Sequence, residues 1–232
     1  MNSHVVITGA SRGLGRALAE AFHRAGARVS LFARAQAELD SLAGELKDRV
    51  AVFAGDVSRR EHIDTALAHF RRAHGPVDLV INNAGIGAYK AFVECSPEEL
   101  SAQIAVNVDG LVQMTHAVAP EMVARRSGII MNIASDLARK PLAKMAVYTA
   151  TKHAVAGFST SLARELKEFG VKVMLVNPGI INTHFGGGAP RTVAEPWQMD
   201  AREVADLMVQ LAQLPANLLV DEVTLHPLGQ DF

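Results

Sequence analysis

The sequence predicts an α/β domain in which a parallel sheet is covered by helices on both faces. Short apolar runs alternate with segments whose apolar residues recur every three or four positions, the spacing of helices with one buried face. Several runs are apolar throughout, which is typical of parallel strands buried on both faces. The third observation is a glycine-rich turn between the first apolar run and the first helical segment.

Length and composition fit one domain over residues 1–232. Hydrophobic residues make up 49% of the chain, charged residues 20%, and the formal net charge is −1. This balance favours a soluble globular protein and gives no electrostatic reason to expect nucleic acid or a membrane surface as a partner. A lone cysteine, Cys95, rules out an internal disulfide and favours a reducing compartment. Without a membrane span or a secretory leader, we expect a cytoplasmic location.

The first strand and the turn after it form a candidate phosphate site. The β-branched run His4–Thr8 leads into Gly9, Gly13 and Gly15, and helical spacing then continues to Gly26. Glycines let the backbone approach a ligand closely, and a helix N-terminus offers free N–H groups and a positive dipole end. A plain βα turn is the alternative, although such a turn rarely needs three glycines.

Two arginines predict which dinucleotide this site binds. Arg34 ends the second predicted strand, 28–33, where an acidic residue would bind a ribose 2′-hydroxyl and arginine would accept a 2′-phosphate. Arg12, inside the glycine turn, offers a second cation. An ordinary surface position is the alternative for each arginine, but together they favour NADP(H) over NAD(H).

The rest of the chain continues the alternation of strands and helices. Capping boxes are predicted at Ser58–Glu61 and at Ser96–Glu99, and Asp200–Glu203 caps a last helix. The helix after Ser96 is expected to bend near Asn107–Gly110. The predicted elements are a helix over 35–47, a strand over 50–53, a helix to about 74, a strand over 77–81, a helix to about 125, a strand over 129–133, a helix to about 169, a strand over 171–176, a helix to about 214 and a strand over 218–225.

A candidate acid–base pair lies on the helix that contains Tyr148. Lys152 is four residues later, so both side chains point to the same side of the helix. A nearby cation lowers the pKa of a phenol, and the result would be a proton donor or acceptor usable near neutral pH. The same spacing also occurs on solvated helices. What favours catalysis is Ser135, at the end of the apolar run 129–133, although a serine there could simply cap the strand end.

The polar and glycine residues that follow the predicted strands are expected to meet. The glycine turn, Asp56, the segment Asn82–Gly85, Ser135 and the pair Pro178–Gly179 all follow strands. In a parallel sheet, ligands bind at the carboxyl ends of the strands, where the strand order reverses. The sequence therefore predicts one crevice.

In this order these motifs resemble the short-chain dehydrogenase/reductase family over almost the whole chain. They are Thr8-Gly9-x-x-x-Gly13-x-Gly15, Asn82-Asn83-Ala84-Gly85, Asn107, Ser135, Tyr148-x-x-x-Lys152 and Pro178-Gly179. The chain is most similar in character to bacterial 3-oxoacyl-carrier-protein-reductase-like proteins. The resemblance implies a doubly wound Rossmann-type sheet of about seven strands and a reversible NADP(H)-dependent carbonyl reductase, acting on a small molecule or an acyl thioester.

The resemblance also implies roles for the matching residues. Tyr148 would be the general acid/base, Ser135 would hydrogen-bond the substrate carbonyl, Lys152 would lower the pKa of Tyr148 and bind the nicotinamide ribose, and Asn107 would support a water-mediated proton path. The residues expected to contact the cofactor are Gly9, Ser11, Arg12, Gly13, Leu14, Gly15, Arg34, Asp56, Val57, Asn83, Ala84, Gly85, Tyr148, Lys152, Pro178, Gly179, Ile181 and Thr183. No metal site is expected, because none of the nine histidines has the spacing of a zinc motif.

Several surface features are open to two readings. Residues 183–199 lack periodicity and are expected to form a substrate lid, in which Phe185 and Trp197 either cover the substrate or anchor the loop. The cations Lys90, Arg139, Lys140 and Lys144 either attract an anionic substrate or are solvated, and we favour the second. The resemblance implies a homodimer or homotetramer, formed through the helices of Asn107 and Tyr148.

Two departures from the family pattern stand out. Asp136 follows Ser135 where many relatives have a small residue, so a carboxylate either faces the pocket or points to solvent. The chain also ends soon after its last strand, at 228–232, whereas many relatives have a longer C-terminal loop.

Two other functions are compatible with the fold. A catalytically silent NADP(H)-binding sensor or scaffold would need only the glycine turn and Arg34, so the presence of Ser135, Tyr148 and Lys152 argues against it. An epimerase or dehydratase of the larger related families would need a substrate domain for which this chain leaves little room.

Overall fold

A seven-stranded sheet, parallel throughout, forms the centre of the molecule. The structure, a computed structural model, describes residues 1–187, 190–191 and 193–230. The strand order is β3-β2-β1-β4-β5-β6-β7, so the direction in which strands are added reverses between β1 and β4. The strands are β1 His4–Thr8, β2 Arg28–Ala33, β3 Val50–Ala54, β4 Leu79–Asn82, β5 Gly128–Ile133, β6 Val171–Pro178 and β7 Glu222–Leu225.

Helices cover both faces of this sheet. On one face, side chains such as Leu18 and Met208 pack on Val5 and Ile7 of β1; on the other, Phe70 and Met114 pack on Val6. Alternate residues of β1 therefore face opposite layers, as the period of two requires. The helices are α1 Gly13–Arg24, α2 Gln36–Leu46, α3 Arg60–His74, α4 Pro97–Ile104, α5 Gly110–Arg125, α6 Ala146–Leu166 and α7 Ala201–Ala212. The doubly wound fold predicted from the sequence is confirmed.

A π-helical turn joins α4 to α5 at the predicted bend. Ala105–Asp109 has the wider turn, and Asn107 at its centre is buried. The capping box at the start of α4 is present, since Ser96 accepts from the Glu99 N–H and the Glu99 carboxylate accepts from the Ser96 N–H. Single π turns are frequent at functional sites.

Some predicted boundaries and one predicted cap were wrong. No capping box forms at Ser58–Glu61, because the Ser58 hydroxyl donates to the Asp56 carboxylate at 2.8 Å and α3 begins only after Arg59. Strand β4 includes Asn82, whereas the sequence predicts this residue in the turn that follows the strand. Strand β7 is shorter than predicted, because its pairing with β6 starts only at Leu175–Glu222.

None of the helices in the described part of the chain is long and apolar enough to cross a membrane. That residues 1–232 form one domain, and that 183–199 acts as a lid, both stay predictions. Within that segment, Gly188, Ala189 and Thr192 lie outside the described residues.

Candidate active site

The predicted crevice lies at the carboxyl ends of the strands, beside the β1–β4 reversal. Gly9 follows β1, Asn83 follows β4 and Ser135 lies just beyond the end of β5. Side chains from the π turn and from α6 reach the same region, because a β-carbon on Gly85 would lie 3.5 Å from Asn107 Oδ1 and 3.7 Å from Lys152 Nζ. Parallel topology thus brings together residues that are up to about 140 positions apart in the sequence.

The glycine turn is closed to side chains. Gly9 has φ +66°, and a β-carbon there would lie 2.9 Å from Ala84 Cα. A β-carbon on Gly15 would lie 2.1 Å from the Gly9 carbonyl oxygen. Helix α1 starts next to these glycines, and Arg12 at its N-cap makes no side-chain capping bond. The first N–H groups of α1 are therefore left for a ligand, as an anion site requires.

Thr8 links the glycine turn to the segment after β4. Its hydroxyl oxygen accepts the N–H groups of Asn83 and Ala84, each at 3.0 Å. The Asn83 amide in turn donates to the Thr8 carbonyl at 3.0 Å and to the Gly9 carbonyl at 3.3 Å. These bonds hold the two loops at a fixed separation on either side of the strand reversal.

Arg12 and Arg34 are exposed near this turn. Within the described ranges, no hydrogen-bond or ion-pair partner is found for either guanidinium. Asp56 is tied to its own loop, since its Oδ1 accepts both the N–H and the hydroxyl of Ser58. Although partial burial opposes ionisation, these bonds and the charge of Arg34 lower the pKa of the Asp56 carboxyl. Two exposed cations and a fixed carboxylate thus border the ends of β1, β2 and β3.

Ser135 and Tyr148 meet at the other side of the crevice. Their side chains lie next to each other, so that the Ser135 hydroxyl influences the pKa of the Tyr148 phenol, and both are buried. The Ser135 hydroxyl donates its proton to Asp136 Oδ1 at 3.0 Å. The two hydroxyls are close enough to contact one oxygen atom of a substrate.

Lys152 and Asn107 lie behind Tyr148. Lys152 is 4% exposed, and its ammonium donates to the Ile133 carbonyl at 2.8 Å and lies 5.4 Å from the centre of the Tyr148 ring. The Asn107 amide is fully engaged: its Oδ1 accepts the Ile86 N–H, and its Nδ2 donates to the Ile86 carbonyl and to the Thr151 hydroxyl. The structure thus brings together all four residues predicted to be catalytic.

The predicted lowering of the Tyr148 pKa is not found. Burial raises the pKa of the Tyr148 phenol well above its ordinary value of about 10. The Ser135 hydroxyl opposes this rise, and the Asp136 charge adds to it. The physical reason is the direction of the Lys152 ammonium, which donates to a backbone carbonyl and lies beside the Tyr148 ring. The effect of burial on the Tyr148 pKa is therefore larger than that of the Lys152 charge. Burial also lowers the pKa of Lys152 to about 8.

The loop after β6 passes over the glycine turn. The N–H of Gly179, just after Pro178, donates to the Leu225 carbonyl, and Ile181 pairs with Met199. A β-carbon on Gly13 would lie 3.3 Å from Thr183 Cβ, which places this loop beside α1. Phe185 packs on Tyr148 with ring centres 5.2 Å apart, so it covers the Tyr148 ring. Trp197 is 42% exposed.

Two of the cations near the mouth are neutralised. Lys90 is paired with Glu99 at 2.7 Å, and Arg139 is paired with Glu222 at 2.8 Å. Lys144 lies over the exposed Tyr89 ring at 5.4 Å. The structural contacts therefore favour the reading of ordinary surface charges over that of an anion-attracting mouth.

A buried polar network below the site was missed by the sequence interpretation. The Asn82 amide donates to the Thr115 hydroxyl and to Asn132 Oδ1, and the Asn132 amide donates to the Ser159 hydroxyl. Residues 82 and 132 face each other on β4 and β5. The available signal was an asparagine inside each of two otherwise apolar strands. The network ties α5 and α6 to the sheet and so helps to fix the position of Tyr148 and Lys152 on α6.

The shape and chemistry of the crevice fit a dinucleotide. The glycine cradle, the N–H groups at the start of α1 and the exposed Arg12 and Arg34 suit phosphates, and Lys152 lies between the cradle and Tyr148.

Comparisons with known proteins identify the family. The sequence model of the short chain dehydrogenases matches residues 3–193. The chain is 32% identical over 222 residues, 96% of each chain, to an uncharacterized oxidoreductase of Staphylococcus epidermidis. It is 30% identical to an alcohol dehydrogenase of the archaeon Thermococcus sibiricus solved with 5-hydroxy-NADP, with a TM-score of 0.93 over 100% of this chain and 99% of that one. A serine dehydrogenase solved with NADP+ is also 30% identical, with a TM-score of 0.92 over 99% and 96% of the two chains. The chain therefore belongs to the short-chain dehydrogenase family of oxidoreductases, as its motifs predicted.

Proposed function

We propose that this protein is an NADP(H)-dependent carbonyl reductase that works reversibly on a small molecule or an acyl thioester. The observation that carries the proposal is the buried pair Ser135 and Tyr148, which lies with the buried Lys152 in the glycine-lined crevice. A nucleotide-binding shell without turnover would need neither a phenol nor a buried ammonium at this place. Keeping a lysine charged in the interior is costly, which suggests a catalytic use.

The nicotinamide supplies the hydride, and the protein manages the charge that develops on the substrate oxygen. Tyr148 and Ser135, whose hydroxyl would turn from Asp136 to the substrate, would both donate to this oxygen as it becomes negative. Donors held close to the oxygen stabilise charge that exists only in the transition state. Tyr148 would then deliver its proton to the oxygen. The Lys152 ammonium, adjacent to the ring, would stabilise the tyrosinate that remains. Asn107, which fixes the Ile86 segment and Thr151, would support the path that returns a proton to Tyr148.

The raised pKa of Tyr148 favours the direction of reduction. A phenol that stays protonated through the neutral range is ready to donate a proton to a reduced carbonyl. Alcohol oxidation needs the tyrosinate, so its rate would increase towards alkaline pH.

The preference for NADP(H) rests on Arg12 and Arg34. Both guanidiniums are exposed at the ends of β1 and β2, where the adenosine 2′-phosphate of the cofactor would lie. The complexes of the two structural relatives with NADP compounds support this choice.

Turnover with a panel of ketones, aldehydes and β-ketoacyl thioesters tests the proposal. We expect NADPH oxidation with at least one class, and about 10²–10³-fold or greater loss of kcat in Tyr148→Phe, with nearly unchanged NADPH affinity. The matched control is Tyr89→Phe, which removes the hydroxyl of the chain's other tyrosine, 61% exposed. Tight NADPH binding without turnover on any carbonyl would favour the sensor or scaffold function instead, and full activity of Tyr148→Phe would refute the catalytic assignment.

We further propose a cytoplasmic homodimer or homotetramer whose residues 183–199 close over the substrate. The assembly would use α5 and α6. On α6, the small residues Ala150, Ala154 and Gly157 form an exposed face. Sedimentation velocity of the purified protein and fractionation of the producing cells test the two statements. A monomer at micromolar concentration would contradict the first.

A further inference from the structure

Gln230, near the C-terminus, connects the two sides of the crevice through one side-chain amide. Its Nε2 donates to Asp136 Oδ2 at 2.7 Å, and its Oε1 accepts the N–H of Ile180 at 3.2 Å. Asp136 is the residue that binds the Ser135 hydroxyl through its other oxygen, Oδ1. Ile180 directly follows Pro178–Gly179 in the loop above the cofactor crevice. The amide therefore contacts both the support of the catalytic serine and the loop after β6.

The surroundings of Gln230 are shaped for this connection. A β-carbon on Gly179 would lie 2.4 Å from Gln230 Oε1, so the glycine leaves room for the amide in this position. The preceding residue, Gly229, donates its N–H to the Pro196 carbonyl at 3.2 Å, which anchors the segment independently of the amide. A β-carbon on Gly229 would lie 2.8 Å from the same oxygen. Two close approaches at glycines thus bring Gln230 to Asp136.

Asp136 depends on this amide. Its side chain is 10% exposed, and a buried carboxylate is costly unless hydrogen bonds satisfy it. Oδ1 is bound by Ser135 and Oδ2 by Gln230, while His226 Nε2 lies 3.7 Å from Oδ2. If the Gln230 bond is lost, the carboxylate has to turn towards another partner. Because Ser135 Oγ is bound to Asp136 Oδ1, the Ser135 side chain is then released from the rotamer that places its oxygen beside Tyr148.

We propose that Gln230 is a positioning residue that, by bonding Asp136 and Ile180 at once, sets the Ser135 hydroxyl and the loop after β6 in register for hydride transfer. The short C-terminal segment thereby has a defined role in the site. This inference rests on the proposed reductase function.

A charge-exchange cycle tests the bridge. Gln230→Glu keeps the acceptor for Ile180 but places a carboxylate against Asp136, and Asp136→Asn keeps the acceptor for Ser135 but places an amide N–H₂ against Gln230. In the double variant, the new amide nitrogen at position 136 can donate to one oxygen of the new carboxylate at position 230. The other oxygen of that carboxylate can accept from the Ile180 N–H, and the amide oxygen at position 136 can accept from Ser135. All three bonds are therefore restored with the polarity of one reversed.

We expect each single variant to lower kcat about tenfold or more, and the double variant to recover to within about threefold of the wild type. The assay uses NADPH and the best carbonyl of the panel, at one fixed pH. NADPH dissociation constants and melting temperatures are measured beside it. The matched controls are Gln213→Glu and Asp221→Asn, which make the same two chemical changes at exposed positions.

The outcomes separate this inference from the function it rests on. Wild-type kcat in Gln230→Glu, or a double variant no better than the poorer single one, overturns the bridge; a change confined to the melting temperature does so as well. Gln230→Met removes both bonds without adding charge and is expected to lose kcat in the same way, should Gln230→Glu fold poorly. If the wild type turns over no carbonyl, the proposed function fails. The bridge is then judged from NADPH affinity: each single variant must weaken NADPH binding, and the double variant must restore it.

Discussion

Replacing Gly15 by alanine tests the glycine cradle. A β-carbon at this position would lie 2.1 Å from the Gly9 carbonyl oxygen and 2.7 Å from Asn83 Nδ2. Since non-bonded carbon atoms prefer about 3.5–4.0 Å, the turn has to move by about an ångström or more. The Gly9 oxygen belongs to the backbone, and the Asn83 amide is held by its bonds to the Thr8 and Gly9 carbonyls. Overpacking of this kind costs about 1–3 kcal/mol of unfolding free energy.

The expected result is therefore a lower melting temperature and weaker cofactor binding. At roughly 2–4 °C per kcal/mol for a chain of this size, Gly15→Ala should melt about 2–12 °C below the wild type. NADPH affinity, followed by fluorescence titration, should fall about tenfold or more, because the backbone N–H groups that would meet the phosphates are displaced.

A matched control separates crowding from the loss of a glycine. Gly44 lies exposed inside α2, and a β-carbon there would meet nothing within 4 Å. Gly44→Ala should leave NADPH affinity unchanged and stabilise the protein by up to about 1 kcal/mol, since alanine favours the helix. NADPH binding and melting of Gly15→Ala that both match the wild type would refute the reasoning.

Three further perturbations have defined outcomes. Lys152→Met should abolish turnover yet raise the unfolding free energy at neutral pH by about 1–2 kcal/mol. The reason is that the buried ammonium, whose pKa is lowered to about 8, is costly to keep charged; activity assays check the first result and denaturant titration the second. Arg34→Ala should weaken NADPH binding about tenfold and NADH binding little; equal losses would contradict the 2′-phosphate role. Burial lowers the pKa of His4, so its contribution to the unfolding free energy should be fully present above pH ~6.5 and should be lost as the pH falls below that value. Denaturant titrations across this pH range should show a shallower decrease in His4→Gln.

Local patterns were enough to place most elements and the parts of the site that lie next to one another in the chain. The turn Gly9–Gly15, the Ser96–Glu99 capping box and the Tyr148–Lys152 pair depend on spacings of a few residues, and such spacings translate directly into geometry. The capping box predicted at Ser58–Glu61 does not form, because the Ser58 hydroxyl donates to Asp56, a residue outside the motif. Competition of this kind is set by neighbours that the pattern does not contain.

By itself, the sequence determined the alternation of elements, the parallel sheet, the glycine cradle and the family, because each follows from residues near in the chain or from their order. Only the tertiary structure decided the charges and contacts of the site. Burial raises the pKa of Tyr148, the Lys152 ammonium is directed at a backbone carbonyl, and Gln230 reaches Asp136 across 94 positions. Desolvation and long-range hydrogen bonds depend on what packs around a group, and that information is spread over the whole chain.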